Sequence, residues 1–447
     1  MNLPALSSVP SRTTLSQAVI NRTLFSRTVQ NQTISSHTFK FMSALLLALL
    51  PGQALAAGSE TSAPLLLGLF YIVLSAAVLG TVFTRLKLPG VVGQVLAGVL
   101  VGPSVLGLVG PEEFYTVLSE LGAIFLLFMV GLETRLKDLL AVGKEALTVA
   151  LIGIALPFGL GYAFGAFQNY ETVSSLFIGT ALVATSVGIT AKVLQELGVL
   201  DKQYAQVILG AAVIDDILGL TILAVVGGLG ESGSFSTAAL LTTLALSVGF
   251  VLLVVILGLP IIRRLEPRLR QISLSRAFNF AVVVGLGLAA LSVRAGLAPI
   301  IGAFLAGMLL AEVKDEVQFE EKVHALEAFL APVFFVVVGL QLDLSLLTSP
   351  TVLIGGAVLS VLAVLGKYLG GVLGARTLGR AQANVVGMGM VPRGEVGLIV
   401  ASLGLSSGLV TGTVYAEVIL MVIVTTVAAP LLLRPLVLKV SRAQQLN

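Results

Sequence analysis

Residues Val91–Leu100 read VVGQVLAGVL, and residues Ile300–Leu309 read IIGAFLAGML. A second pair lies at nearly the same separation: FMVGLETRLKDLL, from Phe128 to Leu140, and FVVVGLQLDLSLL, from Phe335 to Leu347. Two matches at one offset, about 208 residues, mark an internal repeat. The repeated material is apolar. From Leu65 onward the chain holds about thirteen apolar stretches of spanning length, near 65–84, 89–108, 117–133, 146–167, 174–197, 204–228, 236–262, 277–293, 296–312, 326–345, 351–374, 382–405 and 412–436. Isolated spanning segments must satisfy their own backbone groups, so these are expected to be helices. The matching pieces fall in stretches two and three and again in nine and ten. A shift of seven crossings is odd, so the second copy is upside down relative to the first. The expected fold is an all-α polytopic membrane protein with two inverted six-helix repeats, 60–230 and 276–440. A connecting helix and loop over 231–275 joins them.

Composition agrees. The chain is 57% hydrophobic and 11% charged, whereas soluble domains are about a quarter charged. Its 48 glycines suit close helix packing in lipid. Cys is absent, which removes disulfides, thiol chemistry and Cys-based metal sites. No resident cofactor and no nucleic-acid partner is expected.

Residues 1–59 stand apart. They contain no Asp or Glu but do contain Arg12, Arg22, Arg27 and Lys40, followed by FKFMSALLLALLPGQALAAG. A basic flank, a short apolar run and a small-residue end favour a signal or targeting segment over an uncleaved disordered tail. Lys and Arg then set the orientation. With residue 60 outside, about nineteen fall in cytoplasmic connections, among them Arg85, Lys87, Arg135, Lys192, Lys202, Lys314 and Arg376. The opposite side has Arg294. The positive-inside rule therefore places the C-terminus in the cytoplasm. His324 is expected on a cytoplasmic loop beside Glu320, Glu321 and Glu327, either as a pH-sensing group or as a solvated surface histidine.

The ionisable residues expected at membrane depth are Asp215 and Asp216 in AAVIDDILGL, Lys367, and Arg393 with Glu395. Each charge at the bilayer centre costs about 2.5–3.5 kcal/mol on insertion scales, so it needs a partner, water or an ion. Adjacent residues on a helix diverge by about 100°, so the two carboxylates cannot meet one partner equally. The expected division pairs Lys367 with Asp215 and leaves Asp216 as the exchanging carboxylate. Two stretches are interrupted in corresponding places. The fifth contains ATSVGIT, with Thr185 and Ser186, and the twelfth contains VPRGEVG, with Pro392 and Gly394. Such paired breaks point to a transport site. Arg393 is expected to offset the negative end of a half-helix finishing near Val391, and Glu395 the positive start of the next. Asp216 and Asp215 with the Thr185 and Ser186 hydroxyls suit a hard monovalent cation such as Na⁺. A carboxylate that binds either a proton or that cation, exposed alternately to both sides, is an exchange mechanism.

Other classes fit less well. An intramembrane aspartyl protease needs carboxylates that face each other, and here the two are neighbours with no G-x-G-D sequence. A cation channel with an acidic vestibule and a proton-coupled organic solute carrier are the remaining alternatives.

AAVIDDILGL, LGKYLGG, ATSVGIT and PRGEVG together resemble bacterial sodium/proton antiporters of the second cation:proton antiporter family, the Kef- and Nap-like branch, of cyanobacterial type. The resemblance covers roughly residues 62–440. It implies a homodimer with a dimer-side panel, 65–133 plus 277–345, and a mobile core, 146–228 plus 351–436, moving as an elevator. It also implies electrogenic exchange in which Lys367 releases a proton when Asp215 is drawn to the ion. Service in pH homeostasis and salt tolerance would follow, in the bacterial plasma membrane or a thylakoid membrane. The alternative within the family is a K⁺/H⁺ exchanger or a Kef-type efflux channel. More distant members carry an Asp at the first broken helix, where this chain has Thr185 and Ser186. Kef-type systems add a nucleotide-binding domain; with Asn447 just after the last stretch, nucleotide gating is not expected.

Overall fold

The computed structural model describes residues 62–232, 237–317 and 319–445, so the expected targeting segment lies outside the described residues. What is described is helical. The first half holds α1 (Ser62–Arg85), α2 (Gly90–Val101), α3 (Glu113–Leu132), α4 (Gly143–Phe167), α5 (Thr172–Val183), α6 (Val187–Glu196) and α7 (Gln203–Ser232). A connecting helix follows: α8 (Thr237–Leu253) runs through a π-turn into α9 (Leu259–Leu269). The second half holds α10 (Leu274–Arg294), α11 (Pro299–Ala311), α12 (Glu320–Leu340), α13 (Pro350–Gly374), α14 (Arg380–Gly389), α15 (Glu395–Ser406) and α16 (Gly412–Gln445). Among the described residues ten helices are long and apolar enough to cross a membrane, with shorter apolar helices at α2, α11 and in α15. Counting α5–α6 and α14–α15 as one interrupted crossing each, the order matches two six-crossing repeats about one connecting crossing.

Several boundaries move for local reasons. α2 stops at Val101 because Pro103 cannot continue it, and the chain turns through Gly107 at φ +61°. α12 starts earlier than expected: Glu320 and Glu321 occupy its first turn, where the helix dipole favours acid. His324 therefore sits on this helix rather than on a loop, and is exposed.

The helices pack in two groups. In one, α3 lies against α11 and α12, α2 against α1 and α12, and α10 against α11; in the other, α4 lies against α5, α7 and α13, and α16 against α13, α14 and α15. Glycines show the inverted symmetry directly. A Cβ on Gly98 of α2 would overlap the Val336 carbonyl and approach Gly339 Cα of α12 at 2.8 Å. A Cβ on Gly307 of α11 would overlap the Phe128 carbonyl and approach Gly131 Cα of α3 at 2.9 Å. The repeat alignment carries Gly98 onto Gly307 and Gly339 onto Gly131, so these are one contact made twice. A similar seam of small residues brings α13 against α4, where a Cβ on Gly370 would stand 2.8 Å from Gly153 Cα, and lets Lys367 enter the interior.

Candidate functional site

The first break separates α5 from α6 at Ala184–Ser186, and the second separates α14 from α15 at Met390–Gly394. The two extended stretches cross. The Ser186 N–H donates to the Pro392 carbonyl at 2.9 Å, and the Thr190 hydroxyl donates to the Gly389 carbonyl at 2.6 Å. Gly394 permits this approach, because a Cβ there would stand 2.7 Å from Ser186 Oγ.

Each break leaves terminal carbonyls without helical donors. Arg393, fully buried, serves both. Its Nη1 donates to the carbonyls of Val391 at 2.7 Å and Met390 at 3.4 Å, beyond the end of α14. Its Nη2 donates to the Leu182 carbonyl at 2.5 Å, in the last turn of α5. The Thr426 hydroxyl of α16 donates to the carbonyl of Arg393 itself. One guanidinium thus offsets the negative ends of two half-helices that point into the same place. Glu395 is the first residue of α15; its side chain lies outside the described residues.

Asp215 and Asp216 lie midway along α7, both buried. Lys367 Nζ, from α13, donates to both Asp215 oxygens at 2.8 Å. The Thr185 hydroxyl, from the first break, donates to Asp215 Oδ2 at 2.6 Å. Asp215 therefore has an ammonium and a hydroxyl as fixed donors. Asp216 lines a narrow crevice with Asp215, Thr180, Ala184, Gly219 and Val400. The site thus presents one carboxylate locked to a cation, one on a crevice, and crossing backbone freed from helical bonding. That is a donor set for a single small cation or a proton.

The crevice lies to one side of the breaks. Thr180 precedes the first break, Leu223 lies beyond Asp216, and Val400 lies in α15. The opposite side is the basic end, where Arg85, Lys87, Arg135 and Lys202 lie. There α6, which packs on α7 and α16 of the second group, is tied to the first group. Lys192 of α6 meets Glu327 of α12 at 2.7 Å, Gln195 donates to Glu133 at 3.3 Å, and the Gly90 N–H donates to Glu196 at 3.2 Å. Burial pushes the Glu133 carboxyl above its ordinary value, while the Gln195 hydrogen bond and the Lys314 charge pull it back.

Two buried acids escaped the reading of the sequence. Glu327 is 1% exposed and Glu417 is 0% exposed. Both stand near the ends of apolar runs, where a charge reads as interfacial. The available signal was that Glu417, in VYAEVILMV, already has apolar neighbours on both sides.

Residues 73–439 match the family model described as "Sodium/hydrogen exchanger, transmembrane". The chain is 37% identical to the high-affinity Na⁺/H⁺ antiporter NhaS3 of Synechocystis, with 88% of this chain and 95% of that protein aligned. It is 36% identical to the Na⁺/H⁺-K⁺ antiporter GerN of Bacillus cereus, over 81% of this chain and 94% of that one. The fold is similar to that of the sodium proton antiporter MjNhaP1 of Methanocaldococcus jannaschii, with a TM-score of 0.60 at 20% identity, covering 84% of this chain and 99% of that chain. By the extent of the family match and the identity of these relatives along most of its length, the chain belongs to the transmembrane sodium/hydrogen exchanger family.

Proposed function

We propose that the protein is a secondary transporter that exchanges Na⁺ for H⁺ by alternating access. The observation that carries this reading is the Asp pair at the crossing breaks: Asp215 held by Lys367 and Thr185, with Asp216 on the crevice. Asp216 is the carboxylate that trades a proton for the cation. A cation entering beside it gains the Asp216 oxygens, and it draws on Asp215, the Thr185 and Ser186 hydroxyls and the freed carbonyls. Drawing Asp215 toward the ion weakens its pairing with Lys367, so the lysine can give up a proton. Return of protons restores the pair, and the cycle moves net charge.

The positive-inside rule makes the basic end cytoplasmic, so the crevice lies on the outer side of the carboxylates and the C-terminus lies inside. On this reading α4–α7 with α13–α16 form a core that slides against a panel of α1–α3 with α10–α12. The Lys192–Glu327 tie breaks when the site turns inward. Homodimers would pair through the panels, in a plasma or thylakoid membrane. Sodium is taken as the ion because the names of both NhaS3 and GerN carry it, GerN's together with K⁺.

Proteoliposomes test the reading. Asp216→Asn is expected to abolish sodium-driven collapse of an imposed pH gradient, while wild type collapses it. Exchange retained by Asp216→Asn would remove the central assignment. A parallel series with Na⁺, K⁺ and Li⁺ assigns the ion.

A further inference from the structure

Glu417 lies in the second turn of α16 and reaches no solvent. Among the described residues neither of its carboxylate oxygens meets a partner in ordinary hydrogen-bond geometry, and the Tyr170 phenol is a looser one. A carboxylate buried with no cation and no close donor is strongly disfavoured, so this group must hold a proton or a cation. The packing is built around it. A Cβ on Gly355 of α13 would overlap the Glu417 carboxyl, and one on Gly356 would stand 2.7 Å from Leu420. Glycine in both places makes the room that the acid occupies.

Its surroundings favour a proton. The titratable group beside Glu417 is Tyr170, in the connection between α4 and α5. Burial pushes the Tyr170 phenol above its ordinary value, and the Glu417 charge and a side-chain hydrogen bond to Glu417 add to that push. Of the other elements packed on α16, α2, α5 and the first part of α13, Pro350–Gly366, contain no Asp, Glu, Lys or Arg; α6 brings Lys192 and Glu196, α14 Arg380 and α15 Glu395, and Glu171 follows Tyr170 in the chain. Gly355 and Lys367 are twelve residues apart on α13, about 18 Å along the helix axis. The carboxyl is therefore remote from the Lys367–Asp215 pair, although the same helix carries one wall of each.

We propose that Glu417 is a second proton-binding site of this protein, at the outer end of the helices that frame the Asp pair, and that its proton is exchanged with the outer compartment by way of Tyr170. The proposal rests on the exchange reading and orientation given above. Only O–H bonds change: the carboxyl gives a proton to the phenol oxygen as the phenol proton passes to outer water, and uptake runs in reverse. The ionised form puts a bare charge into the seam between α13 and α16 at Gly355. Outer pH therefore acts on the packing of the helix that carries Lys367.

The test uses infrared difference spectra of the full-length protein in lipid nanodiscs. Wild type is expected to show a neutral carboxylic-acid carbonyl band that vanishes on alkalinisation. That band is lost in Glu417→Gln and kept in Asp216→Asn. Gly355→Ala, which places a methyl where the carboxyl lies, shifts the band without removing the acid. Wild-type and Glu417→Gln spectra that superimpose at every pH would overturn the proposal, as would a Glu417 band that never titrates. In proteoliposomes Glu417→Gln is expected to shift the dependence of exchange on outer pH, and an unshifted profile would also overturn it. If wild type fails to exchange Na⁺ for protons, the transport reading falls, and the spectra still decide whether Glu417 binds a proton.

Discussion

Lys192 Nζ stands 2.7 Å from Glu327 Oε1, and the Glu327 side chain is 1% exposed. The lysine belongs to α6, beyond the first break, and the glutamate to α12 in the other helix group. The same ammonium bonds Gln195 at 3.1 Å, whose amide reaches Glu133 on α3. Removing the lysine strands a buried carboxylate, and breaking such a pair costs about 3–5 kcal/mol. Glu327→Gln leaves instead a lysine that is 16% exposed and close to water. Lys192→Met should therefore lower the thermal midpoint more than Glu327→Gln, and the double variant should recover part of the loss. A double-mutant cycle on detergent-solubilised protein checks this, and strictly additive effects would show the pair to be uncoupled.

Lys367 leads to a prediction about charge. It contributes both short contacts to Asp215 from a fully buried position. Lys367→Ala leaves Asp215 with the Thr185 hydroxyl as its donor among the described residues. Exchange by this variant should lose its response to membrane potential, because the lysine proton no longer enters the cycle. Wild-type exchange that ignores an imposed potential would contradict the role given to Lys367.

Much of this arrangement was within reach of the sequence, and the exceptions share a cause. Two matches at one offset were enough for inverted repeats, because lipid forces each repeat into helices. Lys367 is an isolated ammonium in apolar helix, and the repeat scheme put it beside the Asp pair. Arg393 was legible only halfway. Its place after Val391 suggested the end of α14, but its bond to Leu182 spans 211 residues and depends on how the breaks cross. Glu327 and Glu417 stayed hidden because burial near a helix end is decided by neighbouring helices, which no local pattern records. The early stop of α2, by contrast, was written in Pro103.

The glycine crossings predict equivalent damage at symmetry-related positions. A Cβ on Gly131 would overlap the Phe304 carbonyl, and one on Gly339 the Val95 carbonyl. Backbone atoms cannot rotate away as a side chain can. Overpacking of this kind typically costs about 1–3 kcal/mol. Gly131→Ala and Gly339→Ala should each lower the thermal midpoint, by similar amounts. Gly159→Ala, where a Cβ meets nothing within 4 Å, should leave it nearly unchanged. Equal midpoints for all three variants would show that these crossings do not limit stability.

Glu133 makes stability depend on pH in a defined direction. Burial raises its carboxyl above the ordinary value of 4.5, against the pull of Gln195 and Lys314 and with the added push of Glu320 and Glu327. A carboxyl raised in the folded state favours folding fully below its unfolded value. That advantage is lost as pH rises through the folded value. The window therefore opens near 4.5 and extends upward. Glu133→Gln keeps a neutral side chain of the same shape and removes the titration. Across that window the wild-type thermal midpoint should fall relative to that of Glu133→Gln, with the two closest at the acid end. The comparison is made in one detergent at constant ionic strength. A constant gap between the two curves would mean that Glu133 ionises without cost, and that its burial at the α3–α6 contact has no energetic consequence.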